Sequence, residues 1–463
     1  MTVVVGARLL VTKPTAAVRQ WCKDNLVIPN PEYAKKKRLG FWVGNIPQEL
    51  VMYEVWADTW VIPYGCLREL MPLLQDAESI TTNFTDSSFS LPDFYAEVPL
   101  YDYQETAVRA MLAAHYGILR SPAGSGKTQM GIALAGRLGV RTLWLTHTID
   151  LLNQSRDRAA QYINPSLLGT ITAGKVNLGK AVTFATVQTL CRLDLTQYTN
   201  LWDCIIVDEC HRVAGTPTAV TQFAKVLNAL CARHKYGLSA TVHRADGLIR
   251  STYALLGQIA YTVPDEAVQS KTMQVSVYPF STGIGLSNAC LNSDGTLNYN
   301  GMIQYLTECE DRNQIILSHL VGNDDHYNLI LSTRIEHLET LMQMLPPELQ
   351  DQSAMITGKM TTKAGKAQRQ QAIEDMRAGR KRYLFATYSL AKEGLDIPRL
   401  DRLYLTVPQK DYAVIVQSVG RIARTFDGKG TPLAYDYVDT IRGLQKAYKQ
   451  RLRSYKSAGC KIL

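Results

Sequence analysis

The residues best equipped for chemistry fall in two clusters. The first, Ser121-Pro122-Ala123-Gly124-Ser125-Gly126-Lys127-Thr128, is close to the phosphate-loop pattern G-x-x-x-x-G-K-[ST], with Ser in place of the first Gly. It follows the apolar run Tyr116–Leu119 and precedes a helical stretch, the context such a loop needs. Gly124 and Gly126 let backbone N–H groups turn inward around the β- and γ-phosphates of a nucleotide. Lys127 sets an ammonium against those oxygens, and Thr128 offers a hydroxyl to Mg²⁺. A helix N-terminus just beyond adds a favourable dipole.

The second cluster is Cys204-Ile-Ile-Val-Asp208-Glu209-Cys210-His211, an apolar strand ending in two adjacent carboxylates. Successive side chains on a strand point to opposite faces, so the two acids can take separate tasks. Asp208 suits Mg²⁺ held through water, and Glu209 suits a general base for the attacking water. A strand-end acid pair alone is an ordinary solvated turn. Coupled to the phosphate loop, it points to ATP hydrolysis with ATP and Mg²⁺ as cofactors.

These loops need a sheet to hold them. Short β-branched runs at Thr142–His147, Val182–Thr186, Cys204–Glu209 and Tyr236–Thr241 alternate with helical stretches such as Gln129–Arg137. A second series follows at Asn328–Thr333, Arg382–Thr387, Arg402–Val407 and Pro432–Val438. Strands alternating with helices predict parallel sheets with crossover helices. Residues 1–98 mix short apolar runs with turn signals and read as a smaller α+β domain. The boundaries expected are therefore 1–98, 99–262 and 263–463. The polar stretch from Tyr261 to about Gly322 reads as a linker and an irregular insertion.

Composition excludes several other classes. The 463 residues, 46% hydrophobic and 20% charged, can bury sizeable cores. No apolar run approaches the ~18 residues needed to span a bilayer. The nine cysteines form no C-x-x-C pair, so a zinc ribbon has no support and buried thiols in a reducing cytoplasm are expected. The histidines show no metal-ligand spacing. A net charge of +9 permits a polyanionic partner without demanding one. Two basic segments stand out. Lys35, Lys36, Lys37 and Arg38 lie beside Phe41 and Trp42, which suits phosphate contact plus base stacking, or else a solvated turn beside a core tryptophan. Thr440 to Leu463 carries Arg442, Lys446, Lys449, Arg451, Arg453, Lys456 and Lys461 with no acid, and Tyr448 and Tyr455 between them. A nucleic-acid grip and a solvated helix face fit that tail equally well.

With these residues in hand the chain resembles a superfamily 2 helicase of the DEAD/DEAH-like kind, its box spelled Asp208-Glu209-Cys210-His211. The family's motifs arrive in order over about residues 100–440. Tyr101-Asp-Tyr-Gln104 is similar to the adenine-contacting element. Leu145–Leu152, with His147, and Phe184–Leu190, with Thr186, resemble segments that touch the nucleic-acid backbone. Ser239-Ala240-Thr241, with His211, resembles the couple between ATP turnover and nucleic acid. Leu329–Arg334 and Ala386–Pro398 resemble the fourth and fifth motifs, which implies nucleic-acid contacts for Arg334 and Thr387 and nucleotide contacts for Gly394 and Asp396. Gln417-Ser-Val-Gly-Arg421-Ile-Ala-Arg424 resembles the sixth, with Gln417 at the reaction centre. Arg421 and Arg424, three residues apart on one expected helix face, would be its arginine fingers.

The resemblance implies two tandem RecA-like domains after the accessory domain. The run Gly237–Gly247 is similar to the XPB/UvsW-type branch, and the compact length fits a phage enzyme of that branch. That implies an ATP-dependent DNA helicase or translocase, monomeric, in the cytoplasm of a bacterial host, migrating branches or regressing forks on branched or duplex DNA. The competing expectations are an RNA helicase and a binding module with a degenerate motor; the intact Lys127, Glu209, Arg421 and Arg424 oppose the latter.

Overall fold

The computed structural model describes residues 1–84, 97–122, 124–214, 220–240, 248–269, 272–360, 362–392 and 395–463. Ala123, Thr241 and Gly394, named above for the site, lie outside the described residues. The chain forms two compact units, Met1–Pro264 and Asp265–Leu463.

The first unit holds three sheets, the smallest only the antiparallel pair 27–29 with 49–51. The eight-stranded one runs, by residue range, 175–177, 168–172, 182–186, 142–146, 204–208, 234–239, 116–120, 259–262. Every pairing is parallel except that of the outermost hairpin, 168–172 with 175–177. The four expected strands appear as Thr142–Thr146, Val182–Thr186, Cys204–Asp208 and His234–Ser239, buried along their lengths as a helix-covered parallel sheet requires. The N-terminal sheet is ordered 54–56, 59–63, 8–12, 2–5, 79–82, antiparallel apart from its last pair.

That N-terminal sheet shares a core with the larger one: Tyr116 and Ala254 pack among Val3, Leu9, Ile62 and Leu70. The Tyr64 hydroxyl donates to the Arg233 carbonyl at 2.8 Å, and Arg250 pairs with Glu69 at 3.0 Å. Lys235, on a central strand, is fully buried and has no carboxylate partner among the described residues. Its Nζ donates to the carbonyls of Leu227 at 2.8 Å and Ala7 at 3.1 Å and lies 4.9 Å from the Tyr64 ring centre. Burial pushes its pKa down from 10.5 to about 7. Between these values the unfolded chain holds a proton that the folded one lacks, so stability rises with pH across that window and is flat below it. Unfolding free energy should climb by about 1 kcal/mol per pH unit between pH 7 and 9 relative to Lys235→Met. Parallel slopes for the two proteins in denaturant titrations would refute this.

The second unit is one seven-stranded parallel sheet, ordered 353–356, 383–387, 328–332, 402–405, 433–438, 276–281, 461–462. The expected strands are all present. The polar stretch after Tyr261 is more regular than its composition suggests: it supplies the strand Ser276–Ser281 and the helices Tyr299–Glu308 and Glu310–Val321. Pro279 obscured that strand, since proline cannot donate to a ladder. Ser276 N–H bonds toward Pro432 while Val277 C=O accepts from Leu463 N–H, so alternate residues face opposite neighbours. Pro279 therefore faces the side where the short strand Lys461–Ile462 has already ended.

Among the described residues no helix is long and apolar enough to cross a membrane. Seven of the nine cysteines are buried, as expected, and Cys309 and Cys460 are half-buried.

Candidate active site

The loops after parallel strands gather at the carboxyl edge of a sheet, where open α/β folds place their ligands. Strand Tyr116–Arg120 leads into the phosphate loop, which ends at the helix Lys127–Leu138. Gly124 and Gly126 both take left-handed conformations, φ +81° and +78°. At Gly126 a Cβ would stand 2.5 Å from Gln104 Nε2, so only glycine fits there. Buried Gln104 commits one amide N–H and one carbonyl lone pair to the protein. Its Oε1 accepts from Tyr101 N–H at 2.9 Å, and its Nε2 donates to the Ser125 carbonyl at 2.8 Å, beside the Tyr103 hydroxyl at 3.0 Å. Ser121 Oγ and Ser125 Oγ meet at 2.5 Å, fully buried, and the Pro122 carbonyl accepts from Ser125 N–H at 3.3 Å. The Ser121 hydroxyl, where the pattern has glycine, thus braces the loop from within.

Strand Cys204–Asp208 delivers the acid pair. Asp208 is buried; its carboxylate accepts from Glu209 N–H at 3.0 Å and from the Ser155 hydroxyl at 3.3 Å. Burial and the adjacent Glu209 push its pKa up, and the Lys127 ammonium pulls it back. Asp208 and Lys127 are therefore electrostatic neighbours although 81 positions separate them. Glu209 takes a left-handed backbone at φ +50°, the kind of local strain that collects at functional sites. Cys210 at the third box position has a tight seat: a Cβ at Gly237 would stand 2.7 Å from its Sγ.

His211 joins two motifs. Its Nδ1 is 3.2 Å from Glu209 Oε2 and 3.0 Å from Ser239 Oγ, and the Ser239 carbonyl accepts from Ser121 N–H at 2.9 Å. Acid pair, histidine, strand end and phosphate loop thus form one continuous polar path. Ala240 is buried next to it.

The residues expected to touch nucleic acid lie at other strand ends. The His147 carbonyl accepts from Gln188 Nε2 at 2.7 Å, and the buried Thr186 hydroxyl meets Thr189 Oγ1 at 3.0 Å. In the second unit Thr387 follows the same pattern with Ser389 at 3.1 Å, and Arg334 is exposed at the start of helix Ile335–Met344. Lys35, Lys36, Lys37 and Arg38 end the helix Pro31–Arg38, not a turn, and no residue of that helix is buried. Trp42 is 75% exposed and Phe41 62%, so the core-tryptophan alternative fails. Glycine and polar residues on both sides left no strong local signal for either fact.

In the second unit the expectation of two arginines on one helix face is corrected. Helix Tyr412–Ile422 ends before Arg424. Arg421 donates to the Leu395 carbonyl at 3.0 Å, while Arg424 pairs with the Asp396 carboxylate. Lys429, which the motifs do not mark, holds the turn: its Nζ donates to the carbonyls of Arg424 at 2.7 Å, Ile422 at 2.8 Å and Pro398 at 3.0 Å. Gln417 is buried, and its Oε1 has no hydrogen-bond partner among the described residues.

The donor set fits a nucleotide with Mg²⁺. The left-handed glycines open a cradle, Lys127 and Thr128 stand at a helix N-terminus, and Asp208 is buried within the Lys127 field. Among the described residues no cluster of three His, Cys, Asp or Glu side chains exists, so a dedicated protein cage for a metal is lacking. Mg²⁺ held by one hydroxyl, one carboxylate and phosphate oxygens needs none.

A phosphate loop and an acid pair on a parallel sheet, followed by a second parallel-sheet domain with an arginine-bearing helix, define a two-domain RecA-like motor. Residues 97–244 match the family model "Type III restriction enzyme, res subunit", and residues 311–426 match "Helicase conserved C-terminal domain". The chain is 26% identical over 350 residues to "Probable helicase D10" of Escherichia phage T5, covering 75% of this chain and 73% of that protein. It is 24% identical to "DNA 3'-5' translocase XPB2" of Sulfurisphaera tokodaii, covering 76% and 85%. The solved structure of S. cerevisiae Dbp5 bound to RNA and ADP BeF3 shares the fold, with TM-score 0.55, 16% identity, and 87% and 94% of the two chains covered. The two domain models together span more than half of the chain, which belongs to superfamily 2 of the helicases.

Proposed function

We propose that this helicase is a DNA motor that couples ATP hydrolysis to movement along duplex or branched DNA, regressing forks or migrating junctions. The observation that carries the coupling is the path from Glu209 through His211 and Ser239 to Ser121. A change at the γ-phosphate that moves Glu209 moves a strand end as well. In this reading Lys127 and the loop N–H groups hold the phosphates, Thr128 and Asp208 hold Mg²⁺, and Glu209 orients and deprotonates the attacking water. Bound Mg²⁺ supplies neutralisation of phosphate charge. By the family resemblance Gln417 serves the same reaction, and Arg421 and Arg424 act as arginine fingers. Gln104 acts on adenine and loop together, and Asp396 binds the nucleotide once Arg424 turns away from it. His147, Thr186, Arg334 and Thr387 line the strand being tracked.

Preference for DNA draws on the name of the archaeal relative, and preference for branches on the N-terminal helix. A basic helix next to exposed Phe41 and Trp42 supplies phosphate contacts and a face for an unstacked base, a combination that junctions offer and plain duplex does not.

The deciding experiment measures ATPase stimulation by single-stranded DNA, duplex, fork, four-way junction and single-stranded RNA. Forks and junctions should stimulate most; strongest stimulation by RNA would overturn the reading. The companion test keeps the whole chain, because removing residues 1–98 would strip Tyr116 and Ala254 of their core. Trp42→Ala should weaken fork binding more than duplex binding. Neutralising Lys35, Lys36, Lys37 and Arg38 together should lower the salt slope of log K by about 2–3. Equal losses on all DNA shapes, with an unchanged slope, would return the helix to a structural role.

A further inference from the structure

The C-terminal helix Arg442–Ser457 has two faces of different kinds. One is anchored. Arg451, almost wholly buried, pairs with Asp436 at 2.9 Å and donates to the Gln409 carbonyl at 3.1 Å. The buried Tyr455 hydroxyl donates to the same carboxylate at 2.9 Å, and Leu444 is buried beside Ile441. Arg451 and Tyr455, which in sequence belong with the other basic and aromatic residues of the tail, are thereby spent on holding the helix.

What remains is a single row. Arg442, Lys446, Lys449, Arg453 and Lys456 are all exposed. Their spacing alternates four and three residues, which at 3.6 residues per turn keeps them within an arc of about 80° and spreads them over about 21 Å. The helix contains no acidic residue. Among the described residues none of the five side chains has an ion-pair or hydrogen-bond partner.

The stability of the helix does not account for this row. Neighbours at i,i+3 and i,i+4 carry like charges and repel. Arg442 and Lys446 stand in the first turn and a half, where the dipole disfavours cations. An ordinary solvated face would interleave acids. A row of unpaired cations has one complementary partner, a row of anions. One strand of duplex DNA carries a phosphate every ~3.4 Å of axis, hence about six over the length of the row.

We propose that this ridge grips the phosphate backbone of the nucleic acid on which the motor acts, as a contact surface separate from the helicase motifs. The proposal rests on the helicase reading and adds a surface to it. The ridge carries no base-reading groups, so its grip is independent of sequence and sensitive to salt.

The test changes Arg442, Lys446, Lys449, Arg453 and Lys456 together to Gln in the full chain and follows duplex binding by fluorescence anisotropy across a salt series. Binding should weaken at least about tenfold at low salt, and the slope of log K against log salt should fall by about 2 or more. Should the fivefold variant melt early, Lys446→Gln with Lys449→Gln and Arg453→Gln gives the smaller shift. The wild type provides an independent reading: bound duplex should shield Lys446, Lys449 and Lys456 from amine acetylation. An unchanged slope together with undiminished acetylation overturns the ridge while leaving the helicase reading standing. A wild type that binds no nucleic acid overturns both. Normal duplex binding by the variant with loss of binding to phosphatidylserine vesicles would assign the ridge to membranes and end the proposal.

Discussion

Lys127→Ala should lower ATP turnover by about 10²–10³-fold while the fold persists. In the proposed reading its ammonium meets β- and γ-phosphate charge, and removing one such preorganised group costs on that scale. The neighbours offer no substitute: among the described residues of the loop and its acid pair, Lys127 is the sole cation. Without it Asp208 also loses the charge that opposes its burial, so its pKa should rise further. Steady-state ATPase and nucleotide binding, each normalised to folded protein, check the expectation. Turnover near that of the wild type would remove the phosphate-loop assignment.

Arg421→Ala should lower ATPase by about 10³-fold, the lower end of what arginine fingers contribute. Arg424→Ala should act in the same direction. The contacts of the two residues separate catalysis from stability. The Arg424 pair with Asp396 is partly exposed on both sides, and such pairs contribute about 0–1 kcal/mol. Melting should therefore barely move while turnover collapses. Arg421→Lys keeps a charge but loses the planar donor fork, so it should recover only a small part of the rate. A variant that melts early yet retains its rate per folded molecule would make these arginines structural. Asp396→Asn adds a control, because freeing Arg424 should leave stability nearly intact and alter nucleotide affinity.

The chemistry of the site was written locally, and so were most of its strands. A phosphate loop needs glycines, a lysine and a hydroxyl in one short run, and an acid pair needs one apolar strand to end on it. Both signals survive without knowledge of the fold because the residues that act together are neighbours in the chain. Strands buried on both faces are apolar throughout, so Thr142–Thr146, Cys204–Asp208 and Tyr383–Thr387 are visible from composition alone. The order of the helicase motifs extended this reading to two domains.

Tertiary structure decided which charges are free. Arg451 and Arg453 look alike in sequence, yet one is sealed against Asp436 and the other belongs to an exposed row. Lys235 stands just before a run that reads as plain strand, and two of its partners, Ala7 and Tyr64, come from the N-terminal 98 residues. Arg312 is buried against Asp439, 127 residues away. Trp42 points outward although tryptophan favours the core, and Arg424 lies past the end of its helix, where Lys429 donates to the Ile422 and Arg424 carbonyls. For Arg451, Lys235 and Arg312 the reason is shared: burying a charged group is tolerable only beside polar partners, and those partners are brought near by chain folding rather than by sequence proximity.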